Sequence, residues 1–421
     1  MVRLLTKKPN VDLKTYKQLF EALSVALYFD EDRKRYHGIS TALLGEKLAK
    51  LSGLVAPERI FYGGLIHDLG GIGLNHHIIH YALGGHYQKD DPSSSDIFQA
   101  KYHGHIGAGE IGEYEGFNWA TEIIRDHHER YDGTGLPEGK SGKEVPIGAE
   151  VLGAADILDI FLYSLEIKNH LEPKETRVDS FRKFLGTHGG FRDRIREWIL
   201  AIASQEQYID SLLSIQALES KIVDKMAKLS PPGDVRLDDI IRLLGSVIDI
   251  KSNYTEDHSA RVARLGEKVG KRLGMTDKEL QDYRYGAYLH DLGKVGIDRT
   301  IINKPDSLTE QEYEKVKKHP KYSEETLEEI EELGEVAKIA GHHQEYYDGS
   351  GYPRGLEGEQ IKLGARIIAV VDAWDAMTSD RPYRDALSEE EAIKELKVNS
   401  GSQFDPQVVK EFLKLHKEGL S

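Results

Sequence analysis

Seven side chains able to bind a metal recur in the same order in each half of this 421-residue chain. In the second half they are His258, His290, Asp291, His319, His342, His343 and Asp372; in the first, His37, His67, Asp68, His103, His127, His128 and Asp156. The two series are offset by 221 residues at the first His, 223 at the His-Asp pair, 216 at the next His, 215 at the His-His doublet and 216 at the last Asp. Drift of a few residues is what loop insertions between fixed positions produce. A lone His-Asp dipeptide says little, although burying either group costs several kcal/mol unless it is paired or coordinated. The repetition carries the argument, and it predicts a tandem repeat of one metal-binding domain.

Five His and two Asp exceed what one ion needs, but they serve two octahedral ions if a carboxylate is shared, and Asp291 is the natural bridge. A water held between two cations gives up a proton near neutral pH, which supplies a nucleophile for phosphorus without any Ser or Cys. The pattern therefore points to phosphoester hydrolysis. Lys294, one helical turn beyond His290, would place an ammonium beside the cluster to neutralise a phosphate oxygen; the first half has Gly71 there. After His342-His343 comes Asp348-Gly349-Ser350-Gly351-Tyr352-Pro353, a tight loop whose backbone can approach a ligand closely. Behind Asp372 lie Arg381 and Arg384, whose guanidinium forks match phosphate oxygens or a guanine edge. At the same spacing from Asp156 the first half has Leu165 and Lys168.

The elements that must position these groups read as helices. In VRLDDIIRLLGSVIDIK (235–251) apolar residues recur at three- and four-residue steps, and alternating strand patterns are scarce. Thr276 with Glu279, Thr309 with Glu312 and Ser388 with Glu391 have capping-box spacing, and Pro57 suits a first helical position. An all-α fold is expected, with tandem helical bundles over 13–185 and 235–421 joined by a helical linker over 186–234. Ser230-Pro231-Pro232-Gly233 marks the boundary. The amphipathic stretch before it suits a packing helix, with a spacer or a homodimer contact as alternatives. The first half carries seven more residues between His67 and His103, in a polar loop whose His76, His77, His80 and His86 read as solvated rather than ligating.

Composition narrows the partners. A formal charge of −15 argues against sequence-independent binding to a nucleic-acid polymer or an anionic membrane. The chain has no cysteine, so imidazole and carboxylate are its strong metal ligands, suited to Fe, Mn, Zn or Ni. The N-terminal stretch lacks the apolar core of a signal peptide and no apolar run approaches a membrane span, so a cytoplasmic location is expected.

HDLGK (290–294), KHP (318–320), HHQEYYDGSGYP (342–353) and VVDAWDAMTSDRPYR (370–384) resemble an HD-GYP domain, a branch of the HD superfamily of metal phosphohydrolases, over about residues 245–415. The resemblance implies an all-helical bundle with two or three metal ions, often iron or manganese, and hydrolysis of cyclic di-GMP to pGpG or GMP, or of cyclic GMP-AMP. It assigns His258, His290, Asp291, His319, His342, His343 and Asp372 to the metals, Lys294 to the scissile phosphate, and Tyr352, Arg381 and Arg384 to the dinucleotide. Trinuclear members use a Glu just upstream of the first His; here Asn253 and Tyr254 stand nearby, with Glu256 and Asp257 displaced toward His258, which argues for two ions. The first half is similar to the same family with HDLGG (67–71) and DGTGLP (132–137), and is expected to be a diverged copy that senses, stabilises or acts on a different nucleotide. A phosphohydrolase of linear nucleotides, and a nucleotide receptor with structural metals, are the alternative readings.

Overall fold

Asp156 and Asp372 each sit near the middle of a long, mainly apolar helix, Ile147–Ile167 and Leu363–Thr378. The computed structural model describes residues 13–28, 36–72, 94–167, 174–233, 235–252, 257–304, 306–379 and 386–419. Two units divide the chain, Met1–Asp239 and Ile240–Ser421. The division lies a few residues beyond the Pro-Pro-Gly turn, inside a helix. All regular structure among the described residues is helical, and the only strand-like pairings are isolated bridges such as Asp132 with Ser141 and Asp348 with Glu357. Among the described residues, no helix is long and apolar enough to cross a membrane.

The first unit contains α1 (Leu13–Tyr28), α2 (His37–Ser52), α3 (Pro57–Ile66), α4 (Ser94–Gly112), α5 (Asn118–Arg125), α6 (Ile147–Ile167), α7 (Lys174–His188), α8 (Asp193–Ala203), α9 (Glu206–Leu213) and α10 (Ile215–Lys228). After α11 (Leu237–Lys251), the second has α12 (His258–Arg272), α13 (Asp277–Leu289), α14 (Arg299–Ile302), α15 (Glu310–Val316), α16 (His319–Glu328), α17 (Gly334–Gly341), α18 (Leu363–Thr378), α19 (Glu389–Val398) and α20 (Pro406–Lys417). Five helices correspond between units: α2 with α12, α3 with α13, α4 with α16, α5 with α17 and α6 with α18. In the first unit α2 packs on α3 and α6, and α4 on α5; in the second α12 packs on α13 and α18, and α16 on α17.

Local sequence explains where these helices begin. Thr276, Thr309 and Ser388 form capping boxes with Glu279, Glu312 and Glu391, satisfying amide groups that the first turn leaves open, and Pro57 is at a first-turn position. The interior of α6 is apolar on every side, with Val151, Leu152, Ala155, Ile157 and Leu158 inaccessible to solvent. In the second unit Ile367, Ile368, Val371 and Trp374 of α18 join Val262, Tyr283 and Phe412 in one core. Burying each large apolar side chain contributes about 1.5–3 kcal/mol, ample to fix the helices that carry the acidic residues.

The stretch read as a linker does not stand apart. Helices α8 and α10 pack on α2, Tyr208 donates from its hydroxyl to the Leu43 carbonyl at 3.0 Å, and Lys225 Nζ lies 2.8 Å from Glu46 Oε2. Ile209, Leu212, Leu218, Ile222 and Met226 form the buried stripe. An amphipathic helix beside a bundle with an open apolar face is stabilised by covering it.

Candidate metal centres

In both units the predicted ligands other than the His-His doublet sit on or beside corresponding helices. His37 and His258 open α2 and α12; His67-Asp68 and His290-Asp291 follow α3 and α13, in a turn that tightens into short 3-10 segments, Leu69–Gly71 and Leu292–Gly296. His103 lies in α4 and His319 opens α16, while Asp156 and Asp372 lie mid-helix in α6 and α18. The turn needs glycine. A Cβ on Gly70 would stand 2.1 Å from the His103 carbonyl oxygen, and one on Gly293 would stand 2.0 Å from that of His319, so the backbones of the two ligand-bearing segments touch.

One device orients most of the imidazoles. The Nδ1 of His67, His103 and His127 meets the carbonyl oxygen three residues earlier, at 2.9, 2.8 and 2.6 Å; for His290, His319 and His343 the distances are 2.8, 2.7 and 2.7 Å. A carbonyl only accepts, so Nδ1 carries the proton and Nε2 presents its lone pair to the cluster. His37 and His258 instead turn Nδ1 to Asp159 at 2.7 Å and Asp375 at 2.8 Å. The Nε2 atoms then face one another: His103 and His127 Nε2 are 3.2 Å apart, His128 and His103 Nε2 3.1 Å, and His319 and His343 Nε2 3.2 Å. Such contacts repel unless a cation or proton lies between them. The donor set fits a divalent metal, with all ligand atoms in several triads within 4.8 Å, including His103, His127 and His128, and His258, His290 and Asp372.

Asp291, expected from the sequence to bridge two ions, has imidazoles beside both of its oxygens. Asp291 turns Oδ2 to His290 Nε2 at 3.3 Å and Oδ1 to His319 and His343 Nε2 at 3.2 and 3.8 Å. Asp68 turns Oδ2 to His37 at 3.5 Å and Oδ1 to His67 and His103, both at 3.3 Å. Burial works against ionisation of Asp291, but Lys294 and His290 hold its carboxyl well below the usual range. Burial pushes His127 down to about 3, and His343 is also pushed well below its ordinary value, by burial and by His290 and His319. These rings are neutral, the form that binds metal.

The units differ at three points. Lys294 Nζ contacts Asp291 Oδ2 at 2.6 Å, where the first unit has Gly71. The Asp156 side chain is wholly buried, while that of Asp372 is 20% accessible. The third point corrects the reading of the doublet. His342 does not join the second cluster; the matching register is 216 residues, not 215. His343 repeats the Nδ1 contact of His127, and the amides of Leu136 and Tyr352 donate to His128 and Gln344 respectively. Glu129 accepts from the amides of Glu138 and Lys140 as Glu345 does from those of Arg354 and Leu356. His342 thus stands where Asp126 stands, with its Nε2 3.3 Å from the Arg354 guanidinium. Gln344 stands where His128 stands, and its Oε1 accepts from the Tyr352 hydroxyl at 3.2 Å.

Arg381, Arg384 and Lys168 lie outside the described residues, as do His76, His77, His80 and His86, and nothing is described of the Leu165 side chain. Asp159 and Asp375 were not singled out in the sequence, although Asp-x-x-Asp recurs at the same 216-residue offset and puts both carboxylates on one helical face. The two loop-holding glutamates, Glu129 and Glu345, share that offset.

The HD domain family model matches residues 59–170 and 242–408. A 3'3'-cGAMP-specific phosphodiesterase 3 of Vibrio cholerae is 30% identical over 291 residues, 68% of this chain and 60% of that protein. A cyclic di-GMP phosphodiesterase of Thermotoga maritima is 38% identical over 182 residues, 43% of this chain and 50% of that protein. The matches thus span 50 to 60% of these relatives' own lengths. A crystal structure of a cyclic GMP-AMP-specific phosphodiesterase of V. cholerae shares the fold, with a TM-score of 0.57 and 21% identity over 95% of this chain and 97% of that one. Because the family model takes in more than half of the residues, and the second unit carries the HDLGK and GYP motifs, the chain belongs to the HD domain family, in its HD-GYP branch.

Proposed function

We propose that this chain is a metal-dependent phosphodiesterase that opens a cyclic dinucleotide, cyclic di-GMP in the first instance, and that its second unit performs the reaction. The observation that carries the reading is the Asp291 carboxylate, divided between His290 on one side and His319 with His343 on the other, with Lys294 against it and Asp372 partly accessible. His258, His290, Asp291 and Asp372 would hold one divalent ion, and Asp291, His319 and His343 the other, iron or manganese being the expected metals. Bound there, the ions supply an activated water and Lewis acidity toward phosphorus. Lys294 would transfer its ammonium from Asp291 to a non-bridging phosphate oxygen as charge accumulates there. Tyr352, Arg381 and Arg384 would orient the dinucleotide. Support also comes from relatives named as cyclic di-GMP and 3'3'-cGAMP phosphodiesterases.

The first unit has no lysine at Gly71, has Leu136 in place of Tyr352, and closes over Asp156. Closed sites are the structural kind and open ones the catalytic kind. It would hold metal without hydrolysing this substrate. The test is anaerobic purification, loading with Mn²⁺ or Fe²⁺, and product detection with cyclic di-GMP and with 3'3'-cGAMP, for the full chain, Asp291→Ala and Asp68→Ala. Turnover lost in Asp291→Ala and kept in Asp68→Ala is the expected result. Turnover lost only in Asp68→Ala would move catalysis to the first unit. Intact metal with no turnover of either substrate would leave a linear-nucleotide phosphohydrolase or a receptor as the better reading.

A further inference from the structure

We infer that the two units hold metal unequally, the first binding two ions tightly and the second one ion tightly and one loosely, because Gln344 occupies the place of His128. The inference rests on the reading that both clusters are metal centres, and goes beyond it by assigning a different ligand set to one position in each.

In the first unit that position is formed by His103, His127 and His128 beside Asp68. The His103 Nε2 is 3.2 Å from that of His127 and 3.1 Å from that of His128, and its ring centroid is 4.7 Å from that of His128. Asp68 Oδ1 closes the group, 3.3 Å from His103 Nε2. All four side chains are buried. This is a three-imidazole, one-carboxylate site shielded from water.

In the second unit the matching backbone position carries Gln344. His319, His343 and Asp291 repeat their counterparts, but the fourth donor is a carboxamide oxygen already accepting from Tyr352. His342, which the dipeptide His-His invites one to count, faces Arg354, and the other charges around it are Lys362, Lys338 and Glu335. A neutral carboxamide oxygen is a hard, weak donor beside imidazole for Fe, Ni or Zn, and is better suited to Mn or Mg. The other second-unit position has no such change, since His258, His290, Asp291 and Asp372 match His37, His67, Asp68 and Asp156. Only one of the four positions is weakened. Replacing an imidazole by this donor should weaken binding by at least the roughly 10- to 100-fold that losing a partner behind a ligand costs.

The test counts ions and needs no turnover. Full-length chain stripped by chelator is titrated with Zn²⁺ and separately with Mn²⁺ by equilibrium dialysis, and bound metal is measured by mass spectrometry. Three tight Zn²⁺ ions per chain and a fourth at least about tenfold weaker are expected. Gln344→His should raise the tight count to four, and His128→Gln should lower it to two. His342→Ala should leave it at three, which separates the 216-residue register from the 215-residue one. Four equivalent ions in the unaltered chain, no tightening in Gln344→His, or a lost ion in His342→Ala would overturn the inference. No stoichiometric uptake at all would overturn it together with the metal reading, whereas equal uptake without hydrolysis would leave the metals and sink only the function.

Discussion

The two units carry one ligand series on five corresponding helices, and the difference between them lies in a few side chains. The Asp291 and Asp68 carboxylates each turn both oxygens to imidazoles, and six imidazoles take their orientation from the carbonyl three residues back. Around that shared frame the first unit adds an imidazole at His128 and omits the ammonium at Gly71. The second does the reverse, with Gln344 and Lys294, and leaves Asp372 accessible. More ligands and less access favour retention of an ion; fewer ligands, a nearby cation and an open side favour reaction with an anionic substrate.

Several experiments would break or sharpen that contrast. The largest effect is expected from Asp291→Ala, which removes the carboxylate between the two ion positions; kcat should fall by at least about a thousandfold, while Asp68→Ala leaves kcat within a few-fold. Similar losses in both would erase the distinction. Next, Lys294→Gly, which copies the first unit, should lower kcat by about 100- to 1,000-fold through loss of charge stabilisation while metal content stays unchanged. A matching loss of bound metal would make Lys294 structural. Gly293→Ala forces a Cβ against the His319 carbonyl, and overpacking of this kind costs on the order of 3 kcal/mol. Thermal unfolding of the metal-loaded protein measures it, and Gly70→Ala should behave alike because the contact is shared. The mildest change is Asp375→Asn. Burial opposes ionisation of Asp375, yet hydrogen bonds from Arg261 and His258 hold its pKa down to about 2. It therefore stays a carboxylate behind His258 at any working pH, and its loss should weaken metal affinity by roughly 10- to 100-fold. Asp159→Asn should do the same for His37. A drop in one unit alone would show that Arg261, which binds Asp375 at 2.6 Å, changes what that carboxylate does.

Much of this was legible in the sequence because periodicity and ligand order survive divergence. Helical spacing and capping boxes predicted the all-α fold, and the structure brings six residues of the second-half series together. The exception, His342, shows the limit. A doublet aligns with a doublet by eye, but it is the Asp-Gly-x-Gly-x-Pro loop and the glutamate before it that set the register, through backbone amides that side-chain identity does not report. Asp159 and Asp375 were missed for a related reason: an acid three residues beyond a ligand on a helix looks like ordinary surface charge until the partner imidazole is seen. Why residues 193–228 pack on the first unit was also out of reach, because an amphipathic stripe does not say which surface it covers.

The carbonyl three residues upstream of six of these rings has a consequence for how such centres change over generations. Each of those six imidazoles is aimed by the backbone of its own segment, so a neighbour can be exchanged without turning the rest. A gene duplicate built this way can surrender ligands singly, with every intermediate still folded and still holding some metal, and drift between storage and chemistry by small steps.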